Sequence, residues 1–222
     1  MLGRLSGTGG SASSSSSSSS TRTTAGGAEQ LDFDEEARKL WASLNLDPNA
    51  HKGGQWNPTD PIFRHPTGGG TIFVGNQTAA ENLAYLQQLG VTRVVNCTTG
   101  ASRIPNFHEG RGITYYTFTI SNWQTCVNAT HTSVLSFANP MFAFIEEAIS
   151  NGESVLVHCL AGAHRAGTTG CACLMHFAGL DAPTAIRTAK RCRPIIDPIG
   201  QLPEFLVRLQ RAKEAEEPQQ QG

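Results

Sequence analysis

Apolar positions along this chain fall into short runs and helical stripes that begin only after a long polar start. The first stripe lies in residues 28–46, where Leu31, Leu40, Trp41 and Leu44 recur at helical spacing among acids and the Arg38-Lys39 pair until Asp47-Pro48 ends the pattern. Residues 49–70 are rich in Gly, Pro, Asn and Thr and have no period, which predicts a long connecting loop anchored by Trp56 and Phe63. Residues 71–75 (Thr-Ile-Phe-Val-Gly) predict a strand. Thr78-Ala79-Ala80-Glu81 then has the form of a capping box, opening a helix through Leu83, Leu86 and Leu89 that stops at Gly90. Residues 91–97 predict a second strand, and the alternating, β-rich residues 113–120 predict a third, running into the loop Ser121-Asn122-Trp123-Gln124. Asn139-Pro140 predicts a helix start, with asparagine as cap and proline at the first helical position. Asn151-Gly152 turns the chain into the apolar run Val155-Leu156-Val157, a buried strand, and helical patterning resumes through Met175 and Phe177, again after Asp181, and finally over 202–209.

Strands alternating with helices predict an α/β fold with a central, mostly parallel twisted sheet flanked by helices. The chain has 222 residues, enough for one full core plus tails. The expected organisation is a disordered tail over 1–27, a helix and connecting loop over 28–70, a folded domain over 71–212 and a polar tail over 213–222. The first tail is glycine and serine, with an unbroken serine run over 13–20 and Arg4 and Arg22 as its only charges. Such a segment buries too little apolar surface to fold, and it lacks the amphipathic period of an organelle transit peptide.

The formal net charge of −1 argues for neither nucleic acid nor an anionic membrane surface as partner. Arg187, Lys190, Arg191 and Arg193 read as a solvated helix face. The six cysteines lack metal-ligand spacing and follow no secretory signal, so they are expected to be thiols in a reducing compartment, the cytoplasm first. Cys171 and Cys173, two apart on a helix, point to different faces and are expected to pack in the core rather than hold a metal.

The chemistry concentrates between the buried strand and the helix that follows it. His158-Cys159-Leu160-Ala161-Gly162-Ala163-His164-Arg165 leaves a strand, turns sharply at Gly162 and re-enters a helix, so the amides from Leu160 to Arg165 can converge in front of a helix N-terminus, where an anion is favoured. A phosphate fits that cradle. Cysteine at its base has a meaning of its own: amides, a helix N-terminus and a guanidinium all lower a thiol pKa, and the thiolate is the nucleophilic form. Arg165 supplies a planar fork that holds two phosphate oxygens, which lysine does not.

The run His158-Cys159, five residues, Arg165 resembles the signature of cysteine-based phosphatases, and of these the dual-specificity phosphatases most. The opening strand–helix–strand, Ile72 through Val95-Asn96, is similar to the same family, as is Arg193-Pro194-Ile195-Ile196-Asp197-Pro198, so the resemblance spans roughly residues 71–209. It implies the cysteine-phosphatase fold and a phosphocysteine mechanism without metal or cofactor: Cys159 as nucleophile, Arg165 as clamp, residues 160–165 as phosphate cradle, His158 in support, and a phosphorylated protein as substrate.

Two positions depart from the family pattern. Ala166 stands where the family has a serine or threonine whose hydroxyl helps the sulfur leave; Thr168 and Thr169 are the nearest hydroxyls, Thr169 about 5 Å along the same helix face. Asn122 stands where the family has the aspartate that protonates the leaving oxygen, and an amide cannot give up a proton. No aspartate occurs between Gly112 and Cys159, leaving His131, His164 and Asp197 as candidate acids. The leading expectation is a phosphatase for phosphotyrosine, with phosphoserine and phosphothreonine as further substrates. A pseudophosphatase that binds phosphoproteins without turnover is the alternative. A rhodanese-type sulfur carrier shares the amide-lined cysteine loop but not the strand–helix–strand opening or the helices after Arg165.

Overall fold

The computed structural model describes residues 31–44 and 57–216. The serine-rich tail, Trp56 and residues 217–222 lie outside that range. Five strands form one sheet in the order β1-β2-β5-β3-β4: β1 Thr59–Arg64, β2 Thr71–Gly75, β3 Val91–Asn96, β4 Thr114–Thr117 and β5 Ser154–His158. All neighbours are parallel except β1, which runs antiparallel to β2 along one edge. Every residue of the central β5 is buried, as expected of a parallel strand covered on both faces.

The helices are α1 Phe33–Ser43, α2 Gln77–Glu81, α3 Leu83–Gln88, α4 Trp123–Cys126, α5 His131–Ser150, α6 Arg165–Phe177, α7 Ala182–Cys192 and α8 Leu202–Glu216. Alternation along the strands sorts them into layers. Leu156 and Val94 point to one face, where they pack with Ala79, Ala80 and Leu86 of α2 and α3. Val74, in register with Val157, points to the other and nearly touches Gly170 of α6. Arg93, in register with Val155, reaches α5 on that second face, hydrogen-bonding the Phe144 carbonyl at 2.9 Å. The parallel strands therefore all deliver their carboxyl ends to one edge of a three-layer sandwich, and the loop after β5 sits there.

Four local expectations are corrected. Residues 59–64 form β1 rather than loop; its Thr-Asp-Pro start hides a strand, and Pro61 is tolerated because this is an edge strand with a bulge between Pro61 and Phe63. The predicted single helix over 78–89 is two. Asn76 caps the first through the Ala79 amide and Asn82 the second through the Tyr85 amide, displacing the Thr78–Glu81 capping box. Pro140 lies inside α5, which starts nine residues earlier at His131 with Thr130 as its cap. The apolar stripe Val134, Leu135, Ala138, Met141, Phe142, Ile145 continues across the proline, and its burial outweighs the missing N–H. Finally, α8 continues to Glu216, past the expected domain end at 212.

Candidate active site

The loop after Cys159 is fixed by its carbonyls, each of which from Leu160 to Arg165 has a donor outside the cradle. The Gln77 amide donates to the Leu160 oxygen at 3.0 Å and the Asp197 amide to that of Ala163 at 3.1 Å. Arg193 takes the two between them, Nη2 donating to the Ala161 oxygen at 3.1 Å and Nε to the Gly162 oxygen at 3.0 Å. The hydroxyls of Thr168 and Thr169 then donate to the oxygens of His164 and Arg165 at 2.7 and 3.0 Å. With six successive carbonyls drawn outward, the amides of the loop turn inward, which is the anion-binding arrangement. Gly162 is required twice over. Its φ is +67°, and a Cβ there would lie 2.5 Å from the Gly75 oxygen.

Arg193 corrects the sequence reading. It is not part of a solvated basic face: its side chain is 1% exposed, held by Asp60 at 2.7 Å and by the Asn57 carbonyl at 2.9 Å. Burial lowers its pKa and the Asp60 carboxylate raises it again. The misreading has a local cause. Arg193 follows the last residue of α7, where extended backbone turns its side chain away from the stripe of Arg187, Lys190 and Arg191. Asp60 lies on β1, the strand that the sequence did not disclose.

Cys159 directly follows β5 at the base of the loop and is buried, as are Ala161, Gly162, Ala163, His164 and Arg165. Arg165 opens α6 with its guanidinium inside, where Nη2 donates to the Asp34 carboxylate while Nε has no partner among the described residues. The Phe33 ring lies 5.8 Å from the guanidinium carbon. Neither ring nitrogen of His158 has a partner among the described residues, and burial pushes its pKa down to about 4, so the ring is neutral at pH 7. His164 Nδ1 lies 2.7 Å from the Asp197 carbonyl oxygen, an acceptor, so Nδ1 carries a proton; its buried Nε2 has no partner among the described residues.

The other sequence candidates are scattered. Asn122 ends a 3-10 turn just beyond β4, at the same end of the sheet but two strands from β5, roughly 10 Å by strand spacing. That segment is pinned to the start of α8, Trp123 Nε1 donating to the Gln201 carbonyl at 3.1 Å and Gln201 Nε2 to that of Ser121 at 3.0 Å. His131 is exposed at the start of α5, and the Asp197 carboxylate is paired with Lys190 at 2.8 Å. Thr169 does not replace the hydroxyl missing at Ala166. Its Oγ1 is bound to the Arg165 carbonyl and lies 3.4 Å from Cys97 Sγ, and the Thr168 hydroxyl is equally engaged. Burial pushes the Cys97 and Cys171 thiols up to about 12 and that of Cys173 higher still, so these are core thiols. Among the described residues no group of three or more His, Cys, Asp or Glu is placed to hold a metal, and no helix is long and apolar enough to cross a membrane.

A cysteine below a ring of inward amides, closed by an arginine at the head of a helix, defines a cysteine-centred phosphate loop. Residues 72–211 match the family model for the dual specificity phosphatase catalytic domain, and the chain belongs to that family. It is 33% identical over 139 residues to human Dual specificity protein phosphatase 9, covering 60% of this chain and 34% of that protein, so it spans about a third of that relative's length. Dual specificity protein phosphatase 26 of Pongo abelii is 32% identical over 149 residues, 65% of this chain and 68% of that one. Among solved structures, human DUSP28 superposes with a TM-score of 0.53 at 25% identity, covering 72% of this chain and 95% of the other. These matches agree with the α/β fold and the family expected from the signature.

Proposed function

We propose that this chain hydrolyses phosphate monoesters on proteins, phosphotyrosine foremost and phosphoserine and phosphothreonine more slowly, through a phosphocysteine intermediate. The carrying observation is the outward anchoring of all six loop carbonyls, from Leu160 to Arg165, around the Cys159 position. The substrate phosphoryl sits on the loop amides and the Arg165 fork. The Cys159 sulfur attacks phosphorus, the sulfur–phosphorus bond forms, and the ester bond breaks to release the phenolate, which takes a proton from water. Water then attacks phosphorus and the sulfur leaves as thiolate with inorganic phosphate. Arg165 and the amides stabilise the charge spread over the equatorial oxygens in both steps. His158, neutral and buried, directly precedes the nucleophile at the end of β5. The free cysteines support a reducing compartment, the cytoplasm first.

Product departure is the weak half of this site, and that favours one second reading. Asn122 carries no transferable proton, Ala166 carries no hydroxyl, and the Thr168 and Thr169 hydroxyls are committed elsewhere. The chain would then bind phosphoproteins or stall as phosphocysteine, a pseudophosphatase. Rapid mixing with p-nitrophenyl phosphate separates the two. A phosphatase releases inorganic phosphate over many turnovers. A stalled enzyme gives a burst of p-nitrophenol equal to the enzyme and little phosphate. A pure binder gives neither, and that result rejects the proposal.

A further inference from the structure

The chemistry above requires a phosphate to reach Arg165, yet a carboxylate of the chain itself already sits there. Asp34 comes from α1, outside the segment that matches the family model, 131 positions before its partner, and it bonds the same Nη2 that a phosphate oxygen would take. The rest of α1 is shaped to hold it in place. Asp32 caps the helix, accepting from the amides of Asp34 and Glu35 at 2.9 and 3.1 Å, so the Asp34 side chain leaves from a fixed first turn. One turn later Ala37, 2% exposed, packs on Ala161, Ala163 and Ile195, so the helix backbone lies directly on the loop, with Leu40 and Trp41 flanking. Phe33, the residue before Asp34, sets its ring 5.8 Å from the guanidinium carbon. With α1 in place Cys159 is 2% exposed and Arg165 3% exposed.

We propose that the mouth of the phosphate pocket is a binding surface for α1, and that Asp34 acts as an internal competitor for the phosphate subsite, which substrate must displace. Three features suit a displaceable occupant rather than a permanent wall. A carboxylate offers one negative charge where a phosphate monoester offers nearly two and a third oxygen. Arg165 Nε has no partner among the described residues, so Asp34 leaves part of the fork for a better ligand to use. Of the contact residues, Phe33, Asp34 and Ala37 are buried, whereas Leu40 and Trp41 remain partly exposed, so the helix is held along one end only. The surface uncovered when α1 lifts consists of Ala161, Ala163, Ile195 and Leu160, an apolar rim around a cationic base, and it would then face the residues next to the phosphoamino acid.

The proposal rests on the phosphatase reading only for the identity of the anion, and its test needs no turnover. The full chain is compared with Asp34→Asn, which keeps shape and removes charge, and with Ala37→Glu, which lifts the helix without touching Asp34. Inorganic phosphate binding is measured by calorimetry, and Cys159 alkylation is timed with the anionic reagent iodoacetate. If the competing state holds nine-tenths or more of the molecules, both variants bind phosphate and react about tenfold or more better than the parent, since apparent affinity scales with the open fraction. Unchanged phosphate affinity and alkylation in both variants overturns the proposal. So does an Asp34→Asn protein that binds phosphate as the parent does but loses turnover on esters with basic leaving groups, because Asp34 would then be a proton donor. A chain that hydrolyses nothing in any form, yet binds phosphate more tightly as Asp34→Asn, would sink the phosphatase reading and leave the competitor standing.

Discussion

The two walls of the phosphate pocket are built to different standards. On the wall that receives the phosphoryl group, six consecutive carbonyls are anchored, a buried arginine braces them from behind, and a second arginine waits inside. On the side from which the leaving group and the sulfur would depart in the proposed chemistry, Ala166 offers only a methyl, Asn122 offers only an amide and lies two strands from β5, and the nearest threonine hydroxyls are tied into the helix. On the proposed chemistry the anion cradle is complete while no acid stands at Asn122 and no hydroxyl at Ala166, so anion binding should be less impaired than either displacement, the first displacement on an activated aryl ester excepted because its leaving group needs no proton.

Perturbing the receiving wall should have the largest effects. Cys159→Ser should abolish phosphate release while leaving calorimetric phosphate binding within a few-fold, because the amides and Arg165 remain; activity above a few per cent of wild type would exclude Cys159 as nucleophile. Arg193→Met should cost roughly 3–5 kcal/mol in urea unfolding, the usual result of leaving a buried charge such as Asp60 without its partner, and should weaken phosphate binding because two loop carbonyls lose their donors. Adding Asp60→Asn should recover part of the stability but not the phosphate affinity, which separates the two roles.

Acid should weaken the same wall. With His158 near pKa 4 in the folded chain against 6.5 in the unfolded one, the folded state binds the proton less well. Its contribution is therefore intact above about pH 6.5, falls as the pH drops toward 4 and levels off below, a total of about 3 kcal/mol. Urea midpoints measured across that window should fall less steeply in His158→Asn.

The departure wall offers smaller effects with opposite sign. Asn122→Asp should raise kcat on phosphoserine peptides by about 10- to 100-fold, at the low end of what general acids contribute, and far less on p-nitrophenyl phosphate, whose leaving group needs no proton. An equal gain on both substrates would mean that the residue acts on loop position rather than protonation. Ala166→Ser should give the smallest change, a several-fold faster phosphocysteine hydrolysis seen as a shrunken burst, and no change in the burst rate constant.

What the sequence disclosed follows the range of the interactions involved. The cysteine, the glycine and the arginine of the loop lie within seven positions, so their spacing alone carries the geometry. Ala166, next to Arg165, was legible as a departure from the same local spacing, whereas Asn122 was legible as one only by aligning residues 115–122 on the family pattern. Arg193 was not, because a helical-wheel argument stops at the helix end and its partners, Asp60 and Asn57, are 133 and 136 positions away. Thr169 was placed on the right face, but its hydroxyl turns back to the carbonyl four residues earlier, a competition that pattern reading does not weigh. Asp34 is one of several acids among the first apolar stripe, and nothing local marks it as reaching Arg165.

The Arg193 brace also sets a timetable for the growing chain. The loop occupies 159–165, but the donors for three of its carbonyls are side-chain or backbone groups of Arg193 and Asp197, which leave the ribosome about thirty residues later. Until then the turn after β5 has only Gln77, Thr168 and Thr169 as donors, and the three carbonyls in its middle are unanchored. Synthesis therefore delivers the nucleophile first and its cradle last, and α1, the earliest of the described helices to emerge, has no pocket to enter until almost the whole sheet is complete. In refolding, closure of Cys159 against alkylation should trail sheet formation, and a nascent chain halted before Arg193 should behave at that cysteine like any unfolded thiol.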